Sequence, residues 1–214
     1  MVQIRHKTTG KSLLNATNDS IRGCVLSGHD LCGADFVGQD LSGCKFNGCN
    51  LTDADFSGAN LSLCEISNSC LKRGNFSGAN LSGSDLSDNS MEGSIFIGCI
   101  AIEAKFRHSK INLANFTNAD LSGADLFFSE LRSSFENAKL VGANLFGADL
   151  TQADFTRADL RKANMTDAKI ARAVFNFAKM DGAIGTNGQP WGFTVRPKPE
   201  KKPWWKVWNN NAAL

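Results

Sequence analysis

An all-β solenoid, a chain wound as a coil of four short sides, is the fold this sequence predicts, and three regularities predict it. Phenylalanine recurs every twentieth residue at Phe36, Phe56, Phe76, Phe96 and Phe116, steps once by nineteen to Phe135, and resumes at Phe155 and Phe175. Between rungs lie further apolar residues five apart, as in Leu41, Phe46 and Leu51, or Leu160, Met165 and Ile170. Two positions before each inner residue sits a small one, often with Asp or Asn between, as in Ala34-Asp35-Phe36, Ala54-Asp55-Phe56, Ala79-Asn80-Leu81 and Ala119-Asp120-Leu121. An inward residue at every fifth position, with the same wall returning at every twentieth, describes stacked laps. Such laps are stable only together, because one lap cannot bury its own apolar side chains. Neighbouring strands lie about 4.8 Å apart, a spacing at which offset phenyl rings stack favourably.

The elements follow in chain order. Residues 1–18 lack the five-residue rhythm. Val2 and Ile4 alternate with polar residues, and Thr8-Thr9-Gly10-Lys11 reads as a turn before Leu13 and Leu14, which predicts a β-hairpin. A solenoid needs its open end covered, since the first lap otherwise exposes apolar side chains and unpaired backbone. The hairpin is therefore expected to be an N-terminal cap.

Residues 19–184 form the predicted shaft. The inner residue is Leu, Phe, Ile or Met from Ile21 to Leu131 except at Ala101, where one of Ile95, Ile97, Ile100 and Ile102 is a candidate to turn inward. Large and small inner residues alternate so that both fit a narrow tube, while Asp, Asn and Gly tolerate the corner conformations. One residue is missing between Leu131 and Phe135, which predicts a kink or a tightened corner in a continuous body. About eight laps at about 4.8 Å each give a rod of roughly 38 Å.

These units resemble the pentapeptide-repeat family, whose motif is A(D/N)Lxx. The resemblance implies a right-handed quadrilateral β-helix. It also implies possible partners, because some members mimic DNA in shape and charge, bind type II topoisomerases such as gyrase and confer fluoroquinolone resistance. End-to-end homodimers are familiar in the family.

Residues 185–214 form a tail of different composition. All four prolines and all four tryptophans of the chain are here, including Trp191, Trp204, Trp205 and Trp208. Trp and Lys interleaved in this way suit capping of the last lap, docking on a protein partner, or contact with a membrane surface.

Charge divides the chain in the same places. The net charge of +2 comprises +3 in residues 1–16 and +4 in residues 185–214, which leaves −5 for the shaft between them. The start of the chain carries no apolar leader, no stretch approaches the length of a membrane span, and the seven cysteines lack a CxxC pair, so reduced thiols in a cytoplasmic protein are expected.

Reactive groups do not converge in the sequence. Cys24, Cys44 and Cys64 fall in one column and Cys49 in the next, yet all occupy small-residue positions, where Cys packs as a small apolar side chain. His29, Gln39 and Asn89 occupy the same kind of position. No metal, cofactor, small-molecule substrate or catalytic set is expected, and the chain reads as a non-enzymatic interaction or scaffold protein with an unidentified protein partner. Outward apolar residues are the candidate contact surface. Phe127 and Phe128 follow Leu126 and Phe146 follows Leu145, and by register Phe127 and Phe146 share one outer column; Trp191, Trp204, Trp205 and Trp208 join these three as candidates, and Phe177 also points outward. A gyrase-like topoisomerase and a membrane surface met through the tail are the alternative partners.

Overall fold

A computed structural model describes residues 2–16 and 20–192. Strand β1 (Val2–Arg5) pairs antiparallel with β2 (Ser12–Ala16), and the register shifts between Ile4 and Arg5. Gly10 closes the connection at φ 65°, a conformation that glycine adopts without Cβ strain. The hairpin is bonded to the first lap: Asp35 donates to the Arg5 carbonyl at 2.8 Å and Lys7 to the Gly33 carbonyl at 2.8 Å. Ile4 is buried against the core. The His6 ring lies on Gly33, where an added Cβ would meet Nε2 at 2.5 Å.

Above the hairpin the chain forms a β-helix. Parallel bridges join positions one lap apart, beginning at Val25–Lys45 and ending at Asn164–Ile184. The bonding within a unit is regular. The inner residue donates upward, as Leu61 does to Asn80 at 2.7 Å, and the residue before it donates downward, as Asn60 does to Gln39 at 2.9 Å. A turn bond closes most sides, as Ala59 does to Phe56 at 3.0 Å. Backbone polar groups inside the shaft are therefore paired without long strands.

The corner explains the composition of the motif. The second residue after each inner one has positive φ, for example Gly58 at 65°, Asp53 at 58° and Leu63 at 58°. The Asp or Asn before the inner residue caps the same turn: Asp55 Oδ1 accepts from the Ser57 amide at 2.9 Å and from Asn75 Nδ2 at 3.1 Å. Such side-chain turns are favoured by Asp and Asn, so the columns of polar residues also bond lap to lap.

The missing residue between Leu131 and Phe135 is the positive-φ corner residue itself. Bridges below it span twenty positions, those from Asn115–Ser134 to Glu130–Asp149 span nineteen, and Ser134–Asp154 returns to twenty. Ser133 falls in the buried small-residue position, where its hydroxyl donates to the Ile111 carbonyl at 2.5 Å and accepts from the Ala114 amide at 3.1 Å. The corner tightens and the inner columns run through. Phe116 and Phe135 stack at 5.0 Å with planes 4° apart.

Inside, the rings of Phe36, Phe56, Phe76, Phe96, Phe116, Phe135, Phe155 and Phe175 form one column with centroids 4.5–5.2 Å apart. Two further rings, Phe46 and Phe106, meet it edge-on. Around Ala101 the structure corrects the sequence reading. Ala101 keeps the inner position, and Ile95, Ile97, Ile100 and Ile102 all stay outward and exposed. Turning an isoleucine inward would break the register by which its neighbours bond to adjacent laps.

The small-residue positions also differ from one another. His29 and Gln39 lie exposed in the lowest lap, whereas Asn89 is buried. Its carboxamide accepts from the Ser69 amide at 2.7 Å and donates to the Ile66 and Leu86 carbonyls. The Asn89 amide group thereby bridges a turn at Ile66–Ser69 that lacks the closing bond found in its neighbours.

Candidate functional site

Side chains pointing away from the tube cannot contribute to the core, so an outward aromatic group is the feature to explain. Phe127 and Phe146 each follow an inner leucine and stand one lap apart, 5.6 Å between centroids and 17° between planes. Phe128 occupies a corner at φ 51°. It lies 4.6 Å from Phe127 in a T-shaped contact and 5.8 Å from Phe146. Phe127 and Phe146 are half-buried by this arrangement, and Phe128 remains 50% exposed.

Two neighbours hold the group in place. His108, one lap below Phe128, packs 5.6 Å from Phe127 and 6.2 Å from Phe128. Gly147, one lap above, leaves room for the ring, since a Cβ there would sit 2.7 Å from Phe128. Neither stood out in the sequence. Their shared column was the available signal, because His108, Phe128 and Gly147 are separated by one lap each, allowing for the short one. Beside the patch Arg107 pairs with Asp125 at 2.5 Å, and Arg132 pairs with Asp149 at 2.7 Å. Burial by itself would raise the Asp149 carboxyl, but hydrogen bonds from Thr151 and Arg132 outweigh it and bring its pKa down to about 2.

The remaining candidates are dispersed. Phe177 is exposed on a different side of the last lap. Trp191 lies over the end of the phenylalanine column, 5.0 Å from Phe175 and tilted by 54°. Trp204, Trp205 and Trp208 lie outside the described residues. The structure thus joins Phe127, Phe128 and Phe146 to one another and places Trp191 elsewhere, at the C-terminal end.

The cysteine columns are part of the wall. Cys44, Cys49 and Cys64 each donate from Sγ to a carbonyl of the lap below, Ile21, Leu26 and Leu41 respectively, at 2.9–3.0 Å. Burial pushes the thiol of Cys44 up to about 11 and those of Cys64 and Cys99 up to about 12, so they carry no thiolate at neutral pH. Among the described residues no three His, Cys, Asp or Glu side chains converge as metal ligands, and no helix is long and apolar enough to cross a membrane.

The carboxylates on the outside are interleaved with bases. Lys45 pairs with Glu65 at 2.9 Å and Arg73 with Asp53 at 2.6 Å, each across one lap, and Arg161 pairs with Asp159 at 2.7 Å. Exposed pairs of this kind add little stability, but they divide the negative charge of the shaft into short stretches.

Two family models match the sequence. One, described as a pentapeptide repeat region, matches residues 39–116; the other, described as pentapeptide repeats in eight copies, matches residues 20–50, 102–135, 132–167 and 148–184. Among solved structures the chain is similar to HetL, a pentapeptide repeat protein involved in heterocyst differentiation regulation from the cyanobacterium Nostoc sp. strain PCC 7120. The identity is 24%, over 81% of this chain and 94% of that one, with a TM-score of 0.44. It is also similar to a trypsin-treated form of QnrB1, a plasmid-mediated fluoroquinolone resistance protein, at 22% identity over 75% of this chain and 88% of that one, with a TM-score of 0.44. No curated protein matches the sequence.

Proposed function

The chain belongs to the pentapeptide-repeat family and is not an enzyme, and from that premise we propose that it is an interaction protein whose rigid shaft presents the Phe127, Phe128 and Phe146 face to a protein partner. The observation that carries this reading is the exposure of Phe128. An aromatic side chain at positive φ is disfavoured, and half of this one faces water beside two more rings. Its burial by a partner would remove apolar area worth about 25 cal/mol per Å2. We read the shaft as right-handed, with about eight laps, and divide the chain into a cap at 1–18, a shaft at 19–184 and a tail at 185–214. A cytoplasmic location accords with the free cysteines.

The test replaces all three rings with serine and compares partner capture by the full-length wild type and variant after photocrosslinking from position 105 or 110, exposed sites that flank His108 beneath the patch. A partner recovered by the wild type and lost by an equally folded variant is the expected outcome. Recovery of the same partners by both proteins would overturn the proposal.

A second reading, action on a gyrase-like topoisomerase, draws on the net −5 of the shaft and on the likeness to QnrB1. The ion pairs that interrupt the carboxylates make it the weaker reading, since a DNA mimic needs an extended anionic face. A supercoiling assay with purified gyrase decides it, and no effect at micromolar protein would reject it. Membrane attachment through the Trp/Lys tail is tested by flotation with anionic vesicles, where equal binding by a chain ending at Gly185 would reject the tail as anchor.

A further inference from the structure

The isoleucines about Ala101 interrupt a polar pattern. Ile95 and Ile100 stand in columns that hold Asn75 and Asn80 one lap below and Asn115 and Asp120 one lap above. Each of those four polar residues caps its turn: Asn75 and Asn80 accept from the amides of Ser77 and Ser82, and Asn115 and Asp120 from those of Thr117 and Ser122, at 2.9–3.1 Å. An isoleucine offers no acceptor, so the turns at Ile97 and Ile102 forgo that bond. The four isoleucines are 39–45% exposed. The lap thus gives up two caps and puts apolar surface into water, with no gain inside the shaft.

The place of this lap fits one occupant. It lies at mid-height, since Ile21 is four laps below Ala101 and Met180 four laps above. It also divides the shaft by charge. Residues 20–100 carry nine acidic and four basic side chains, net −5, and residues 101–184 carry ten acidic and eleven basic, net +1; the three bases of the hairpin lie below, at the tip. Two shafts laid side by side and antiparallel, isoleucine lap on isoleucine lap, set the acidic half of each against the other half of its neighbour. A parallel pair would oppose −5 to −5.

An antiparallel twofold sets each column against itself and exchanges heights, so the sequence shows what meets. On the side carrying Ile100 and Ile102, these two meet their own counterparts. Leu63, 70% exposed and two laps below, meets Val141 and Gly142, two laps above; Arg22, four laps below, meets Asp181, four laps above. Asn80 comes opposite Asp120. Two like pairs arise. Asp40 faces Asp159, which brings its own Arg161 at 2.7 Å. Glu103 faces itself at the corner, where its side chain leans over Gly123 in the lap above and so points away from its counterpart.

We propose that the side bearing Ile100 and Ile102 is a self-association surface, on which a second copy of this chain docks antiparallel with Leu63 of each shaft against Val141 of the other. The inference does not depend on the partner face proposed above. Gly98, the corner between Ile97 and Ile100, and His108, beneath Phe128, are half a lap apart and so lie on opposite edges of the shaft. Pairing through the isoleucines leaves the aromatic group free in both copies.

Sedimentation velocity of the full-length protein from about 1 to 100 µM tests this, with a variant carrying Ile100→Asn and Ile102→Ser. These replacements are the residues of the lap below, Asn80 and Ser82, and they restore a missing cap, so the variant is expected to keep its Tm. Wild type is expected to pass from monomer to dimer, and the variant to need at least about tenfold more protein. Direction is read separately. Leu63→Cys and Val141→Cys proteins, mixed and oxidised, should yield a disulfide between positions 63 and 141 on peptide mapping. Neither alone should crosslink through its new cysteine, because the two copies of position 63 lie four laps apart, about 19 Å. A wild type that stays monomeric would overturn the proposal and leave the isoleucines to a different protein. Equal dimerisation of wild type and variant would overturn it, as would a dimer without the 63–141 disulfide.

Discussion

Phe76→Ala isolates what one rung of the inner column contributes. The Phe76 ring is fully buried, between Phe56 at 4.9 Å and Phe96 at 4.8 Å. Truncating a buried phenylalanine costs roughly 3–5 kcal/mol, from lost transfer energy and the cavity left behind. Bonded laps above and below prevent the walls from collapsing into that space, so the cost belongs in the upper half of the range. Phe175 stacks on Phe155 at 5.2 Å, meets Trp191 on its other side only at a tilt of 54°, and is partly exposed, so Phe175→Ala should cost clearly less. Phe76→Leu separates packing from stacking. It keeps most of the apolar volume and loses two ring contacts worth about 0.5–1.5 kcal/mol each beyond area. Urea unfolding followed by far-UV circular dichroism measures all three at a common slope. A cost for Phe76→Ala below about 2 kcal/mol, or equal to that of Phe175→Ala, would refute the view that the column is the main source of stability.

Other expectations bear on the corners, the thiols and the ion pairs. Inserting one glycine between Arg132 and Ser133 restores the absent corner residue and should change stability by less than about 1 kcal/mol, whereas the same insertion between Asp159 and Leu160 should lower Tm sharply; similar Tm values for the two would contradict the corner assignment. Iodoacetamide at pH 8 should modify the partly exposed Cys24, Cys32 and Cys70 well before the buried Cys44, Cys49, Cys64 and Cys99, and peptide mapping that finds all seven labelled at one rate would count against the buried-wall reading. Asp149 has a folded pKa near 2 against 3.8 for the free group. Its contribution is therefore present above about pH 4 and lost as pH falls through 2, about 2 kcal/mol at 1.36 kcal/mol per pKa unit. Asp149→Asn should flatten the acid limb of the stability curve by that amount, and unchanged pH dependence would rule this out.

The shaft was legible because its physics is periodic. Phe36 to Phe175 share a wall, so one spacing announces the column, and the nineteen-residue step announced a tightened corner before any coordinates. Which residue was missing could not be read, since positive φ is a property of the folded corner and is held there by glycine, aspartate, leucine or phenylalanine alike. The isoleucines about Ala101 misled because hydrophobicity alone suggested an inward turn, while the bonds to adjacent laps fix orientation. The aromatic group was visible as Phe127, Phe128 and Phe146, but His108 and Gly147 become its neighbours only through the lap. Asn89 looked like another small-position substitution to be accommodated; its bridging of an open turn depends on Ile66 and Ser69 one lap away.

The regular pitch of the shaft has a consequence for display. A side chain moved by twenty positions keeps its bearing and advances about 4.8 Å, so the exterior is a coordinate grid with the sequence as its index. Ligand groups could be placed on it at chosen heights and azimuths by single substitutions. Leu131–Phe135 is the one point where that index slips by a count, and any such graft crossing it must be written with the offset.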